Sequence, residues 1–209
     1  IISTNMKKTI ILTAALFFTM GIQAQNKIQF GVKAGLNVAN TRTTPALPPD
    51  VNMKSRIGFN AGVFANIMAA KNFAIQPEAY YSSEGYKGVQ GGTVGKLNMD
   101  YINIPVLAQY KFGNGFRVEA GPQIGFLLSA KSVLDDQKDD VKDMCKSIAF
   151  SIPFGAGYLS PIGLGLNARY NLGLTNFIDQ SGSDQSAKIS VFQFGLFYQF
   201  KMNKEKTKK

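Results

Sequence analysis

Eight stretches of this chain alternate an apolar residue with glycine, an amide or a charge, and glycine crowds the side opposite the apolar one. A repeat of two is the repeat of a strand, whose successive side chains point to opposite faces. In the first run Ile28, Phe30, Val32, Ala34, Leu36 and Val38 alternate with Gln29, Gly31, Lys33, Gly35 and Asn37. The seventh is the most regular, with Ile162, Leu164, Leu166, Ala168, Tyr170 and Leu172 set against Gly163, Gly165, Asn167, Arg169, Asn171 and Gly173. The remaining runs start at Ile57, Phe73, Ile102, Phe116, Ile148 and Phe192. No stretch after Gln25 is apolar for the 18 or so residues that a membrane helix needs.

The connections alternate as well. Ala69 to Asn72, Gly113 to Gly115 and Leu159 to Pro161 are short. Ala39 to Ser55, Gly85 to Lys96, Lys131 to Lys146 and Thr175 to Ala187 are long and carry Pro, Gly, Ser and Asp, the turn and loop formers. An even number of antiparallel strands, with tight turns at one rim and extended loops at the other, is the pattern of a bacterial outer-membrane barrel. The expected fold is therefore all-β, an eight-stranded antiparallel up-and-down transmembrane β-barrel.

Two barrels fit such alternation, with opposite senses. A soluble, lipocalin-like periplasmic carrier turns its apolar side chains inward around a ligand, whereas a membrane barrel turns them out to lipid. The glycine face separates the two. On a solvated strand face glycine packs nothing and weakens the strand, but inside a narrow barrel it makes room for larger neighbours. The membrane sense places Lys33, Glu78, Lys111, Arg117, Glu119 and Arg169 together in the lumen, where opposite charges can pair. It also places Phe73, Tyr110, Phe112, Phe116, Tyr158, Tyr198 and Phe200 on the lipid face near the short turns, as an interfacial girdle.

The ends read differently from the middle. Met6-Lys7-Lys8 followed by an apolar run to Ile22 and a small residue at Ala24 has the parts of a cleavable secretory signal, with Ile1 to Asn5 as an upstream extension of the frame. Residues 25–200 form the expected barrel. Residues 201–209, with Lys201, Lys204, Lys206, Lys208 and Lys209, form a basic tail. The formal net charge of +10 over 209 residues is thus concentrated partly at the two ends. Nucleic-acid binding would need interleaved aromatics or a folded basic surface, which the tail lacks.

Catalytic chemistry is thinly supplied. With no His, the chain has no Ser-His-Asp or Cys-His system, no histidine general base and few ways to hold zinc. Glu78 and Glu119 could form a carboxylate pair for acid–base work, but no nucleophile accompanies them and charge balance with Arg117 and Arg169 is the simpler role. Asp135, Asp136, Asp139, Asp140 and Asp143 are interrupted by Lys138 and Lys142 and lack the central Gly and terminal Glu of a calcium loop. Gly88, Gly91, Gly92 and Gly95 precede no helix and no Gly-Lys-Ser/Thr, so they read as surface loop. Cys145, the one cysteine, is either an unpaired thiol or an intermolecular contact. No catalytic residue, cofactor or metal ligand is assigned.

The last run contains Gln193, Gly195, Tyr198 and Phe200, a polar residue followed by Gly and then aromatics at alternate positions. It resembles the C-terminal assembly signal of outer-membrane barrels, which implies recognition by the barrel-insertion machinery. Gly31 to Asn37, Tyr101 to Leu107, Glu119 to Gln123, Gly155 to Tyr158 and Ala168 to Asn176 are similar to the PorT-like, porin-labelled family of small outer-membrane β-barrels of Gram-negative bacteria. That resemblance implies an outer-membrane address and a lipid environment, and no single activity, since a shared fold does not settle function. The expected function is a non-enzymatic barrel with a filled lumen, serving envelope integrity or contact with an unidentified extracellular or envelope partner. A narrow porin-like channel is the alternative within the same fold.

Overall fold

The computed structural model describes residues 28–44, 51–90, 93–134, 137–177 and 186–200. The signal segment, the basic tail and the pair Asp135 and Asp136 lie outside the described residues. The strands are β1 (Ile28–Thr44), β2 (Val51–Met68), β3 (Phe73–Gln90), β4 (Thr93–Lys111), β5 (Phe116–Ala120), β6 (Gln123–Leu134), β7 (Gln137–Asp140), β8 (Ile148–Leu159), β9 (Leu164–Gly173) and β10 (Ser186–Gln199). All pairings are antiparallel: β1 to β4 pair in sequence order, β5 and β6 each bridge β4 and β8, β8 pairs β9 and β9 pairs β10, and β10 pairs with β1 through Gly31↔Gln199 to Thr44↔Ser186, which shuts the ring. Closure leaves the wall without a free edge, so backbone groups at membrane depth are satisfied between strands.

The ring has eight staves built from nine of the ten strand segments. The fifth stave, expected as one run, is two segments, because Gly121-Pro122 interrupts it and proline has no N–H for the ladder. The Gly121 N–H donates to the Pro153 carbonyl at 3.1 Å and the Val106 N–H to the Pro122 carbonyl at 3.0 Å, so the wall is bonded across the break. The extra segment β7 is a four-residue flap paired with β6 outside the ring.

The long connections also differ from expectation. β1 runs on to Thr44 and β2 starts at Val51, while the β3–β4 ladder continues through Lys87↔Lys96 to Gln90↔Thr93. Much of what reads as loop is therefore hairpin standing above the membrane. Outside lipid the outward face of a strand meets water instead of hydrocarbon, so the apolar alternation fades although the pairing persists.

Burial confirms the membrane sense. Phe30, Val32 and Leu36 on β1, Leu164 and Leu166 on β9, and Phe192, Phe194 and Leu196 on β10 are exposed, while Lys33, Asn37, Arg169, Asn171, Gln193 and Gln199 on the same strands are buried. This is the reverse of a soluble carrier, and it removes the lipocalin-like reading. The outward apolar stretch of β4 from Ile102 to Tyr110 covers nine residues, the length a tilted strand needs to cross (about 9–11). The seven girdle aromatics are all outward and exposed, and Tyr110–Phe112 and Tyr198–Phe200 pack edge to face and Phe112–Phe116 tilted, with ring centroids 5.0, 5.4 and 5.5 Å apart.

Candidate functional site

The lumen is filled by a bonded lattice of polar side chains. At its centre Arg169 of β9 donates from Nη1 and Nη2 to the two carboxylate oxygens of Glu78 of β3, both at 2.9 Å. Its Nε donates to Glu119 Oε1 of β5 at 2.9 Å. Lys33 of β1 adds a third cationic contact, Nζ to Glu78 Oε2 at 2.9 Å. The fork of a guanidinium matches a carboxylate in two parallel bonds, which gives the pair direction as well as strength.

Amides extend the lattice toward the short-turn mouth. Gln76 donates to Glu78 at 2.8 Å and Gln109 to Glu119 at 2.6 Å, while Asn66 donates to both Gln76 and Gln109. Lys111 closes this end by donating to Asn66 Oδ1. Every oxygen of Glu78 and Glu119 is thus occupied by a donor within the lattice. That arrangement neutralises charge and holds staves together; it presents no carboxylate to a substrate.

Two of the six expected network residues are placed differently from their partners. Lys111 is half-buried at the mouth and makes no ion pair among the described residues. Arg117 points inward and is buried, but its guanidinium lies over the Phe197 ring at 4.0 Å, and its Nε and Nη1 have no hydrogen-bond partner among the described residues. A void of about 10 Å³ adjoins it, the size of one water.

The glycines explain how the aromatic layer fits. A Cβ on Gly165 would fall 2.0 Å from the Phe197 ring, and one on Gly31 would fall 2.2 Å from Phe64. Phe64 and Phe197 both point inward and pack edge to face at 6.0 Å. The two glycines therefore leave the space that two large inward rings occupy.

Toward the long-loop end the interior changes twice. Glu84, which strand reading left at a loop boundary, is buried and accepts hydrogen bonds from Ser82 at 2.8 Å and Asn103 at 3.2 Å. Asn37 joins this cluster through Ser82 and Asn60. Above it the inward residues become apolar: Leu97, Met99, Tyr101, Leu127, Ala130 and Ala187 form one buried cluster with Cys145 and Phe177. This dome roofs the polar lumen. A void of about 40 Å³ lies beneath it, bordered by Glu84, Asn103, Gln123 and Asn171.

The dome decides between the two readings of Cys145 in favour of the unpaired thiol. The thiol is buried against apolar neighbours, out of reach of an intermolecular contact, and burial pushes its pKa up. Of the acidic loop, Asp139 and Asp140 lie on β7 and are exposed to solvent, with Asp140 opposite Lys131. On the last stave Gln193 is inward and buried, Gly195 faces Gly35 across the β1–β10 seam, and Tyr198 and Phe200 are outward.

A closed antiparallel ring with lipid-facing apolar side chains and a charged interior defines a transmembrane β-barrel. Residues 23–179 match the family described as "Outer membrane protein beta-barrel domain", and the chain belongs to that family. Among solved structures it resembles Neisserial surface protein A (NspA), with a TM-score of 0.55 and 16% identity over 82% of this chain and 97% of that one. It also matches Ail, the attachment invasion locus protein of Yersinia pestis, with a TM-score of 0.47 and 13% identity over 83% and 99% of the two chains. OprG from Pseudomonas aeruginosa follows with 0.46 and 12% over 83% and 96%. No curated protein matches the chain. The bacterial outer membrane is its location.

Proposed function

We propose that the protein is a closed, non-conducting and non-enzymatic barrel of the PorT-like kind, whose body is a rigid mount for hairpins that serve envelope integrity or surface contact. One observation carries this reading. Arg169, Glu78, Glu119 and Lys33 meet at the lumen axis with side chains no more than 4% exposed, so the section a solute would cross is occupied by bonded atoms. An eight-stranded barrel has an interior only wide enough for its own side chains. Within the same reading, Gln193, Gly195, Tyr198 and Phe200 are the segment that the insertion machinery grips, and the outer hairpins are where an envelope or extracellular partner would bind.

Planar-bilayer recording tests the closed lumen. The expected result is no steady conductance from the purified protein. A steady conductance that Arg169→Ala abolishes would establish the narrow channel instead.

A further inference from the structure

Above the lipid-facing band, five cations stand on the outward face of five adjacent staves without an acid opposite them. Lys54 of β2 is in register with Lys87 of β3, and Lys87 with Lys96 of β4. On the neighbouring seam Arg42 of β1 is in register with Lys188 of β10. Like charges directly opposed across a ladder are destabilising, and sheets ordinarily avoid them. Lys131 shows the ordinary solution, since Asp140 sits opposite it. The acid Asp100 lies four residues below Lys96 on the same face, where its carboxylate is engaged with the Tyr81 hydroxyl. None of the five cations is in an ion pair among the described residues.

Their place in the fold says what neutralises them. Lys96 continues the lipid-facing row of Ile102 and Ile104, Arg42 that of Leu36 and Val38, and Lys188 that of Phe192 and Phe194, while Lys54 reaches the same side through its register with Lys87, past the irregularity between Ser55 and Asn60. At the rise and tilt of barrel strands they stand about 10–15 Å above the apolar edge. Long-loop rims face the outside of the cell, so this is the depth of the outer leaflet's sugar and phosphate headgroups. Flexible lysine stems can reach down into that layer.

We propose that Arg42, Lys188, Lys54, Lys87 and Lys96 form a docking arc for the phosphorylated headgroup of an outer-leaflet glycolipid. The lipid supplies the anions that the sheet lacks, and the arc fixes the barrel's depth and its lipid neighbours. This rests on the membrane-spanning fold and not on the closed lumen: conductance tests the lumen, the mobility shift on boiling tests the fold, and lipid retention tests the arc itself.

The experiment uses the protein refolded into phosphatidylcholine vesicles with and without a phosphorylated lipid A-type glycolipid. Glycolipid retained through detergent exchange is counted by native mass spectrometry, and folding is checked by the mobility shift on boiling. At roughly fivefold per cation near an anionic surface, the variant K54Q/K87Q/K96Q should retain the glycolipid at least tenfold less well than the parent. K54R/K87R/K96R should retain it as the parent does. Salt at about 0.5 M, where screening acts over a few ångströms, should erase the difference. Equal retention by the glutamine variant, or equal retention of dephosphorylated glycolipid, would overturn the proposal. So would lysine-dependent binding of a sulfated oligosaccharide with no glycolipid retained, which would make the arc a receptor for soluble glycans.

Discussion

Arg169 grips Glu78 through two parallel hydrogen bonds of 2.9 Å although the two are 91 residues apart and belong to staves on different sides of the ring. Removing one partner of a buried pair leaves the other charge stranded, at a cost of about 3–5 kcal/mol. Arg169→Met should destabilise the barrel by that order, read as a lower urea midpoint in vesicles. Adding Glu119→Gln to it should recover part of the loss, because that removes the stranded Glu119 charge while Glu78 keeps Lys33 as its counter-charge. Equal midpoints for parent and Arg169→Met would show that the lattice does not hold the staves.

Gly165 and Phe197 should be coupled. A methyl at Gly165 meets the Phe197 ring at far below contact distance, and overpacking of this kind costs about 1–3 kcal/mol. Gly165→Ala should lower stability in the parent and do little in a Phe197→Ala background. The coupling energy from a double-mutant cycle is the measurement. A value near zero would mean the ring moves aside at no cost.

The outward face can be tested by charge. Leu196 is exposed at the middle of the lipid band, where a lysine costs about 2–4 kcal/mol in a membrane barrel and near the interface only about 0–1. Leu196→Lys should unfold more readily in vesicles, whereas Asn40→Lys, above the band, should not. A soluble barrel would show no such depth dependence.

Cys145 should resist labelling. It is buried in the dome, and burial raises its thiol pKa above the ordinary value. The thiolate is the reactive form, so the folded barrel should react slowly with a maleimide at neutral pH and gain rate only above the pH range of an exposed thiol. Unfolding in urea should restore full labelling. Rapid reaction of the folded protein would place the thiol at the surface.

The architecture was legible because lipid and lumen impose opposite demands on alternate residues. Leu164, Leu166 and Ala168 could be assigned to one face, and Gly165, Asn167 and Arg169 to the other, by counting in twos. The presence of Lys33, Glu78, Glu119 and Arg169 in the lumen followed from the same count. Their pairing did not, because which charges meet depends on how a closed ring brings β1, β3, β5 and β9 to one axis. The dome was illegible for another reason. Leu97, Met99, Cys145 and Phe177 lie where the chain has left the membrane, and there an apolar residue turned inward has no lipid-facing counterpart to reveal its side. Glu84 was hidden likewise, at a boundary that the polar hairpin composition placed too early.

The lattice has a consequence for assembly. Its charges sit on staves that only the β1–β10 seam brings into one enclosure. A sheet lying open in lipid would carry Arg169 and Glu119 on one wing and Glu78 and Lys33 on the other, so that Arg169 and Glu78 would each face hydrocarbon without the doubly bonded partner they have in the ring. Shutting the seam relieves both at once. Closing the ring therefore completes the charge pairing of the lumen, and the β1–β10 seam that closes it carries Gln193 and Gln199 on the same inward face.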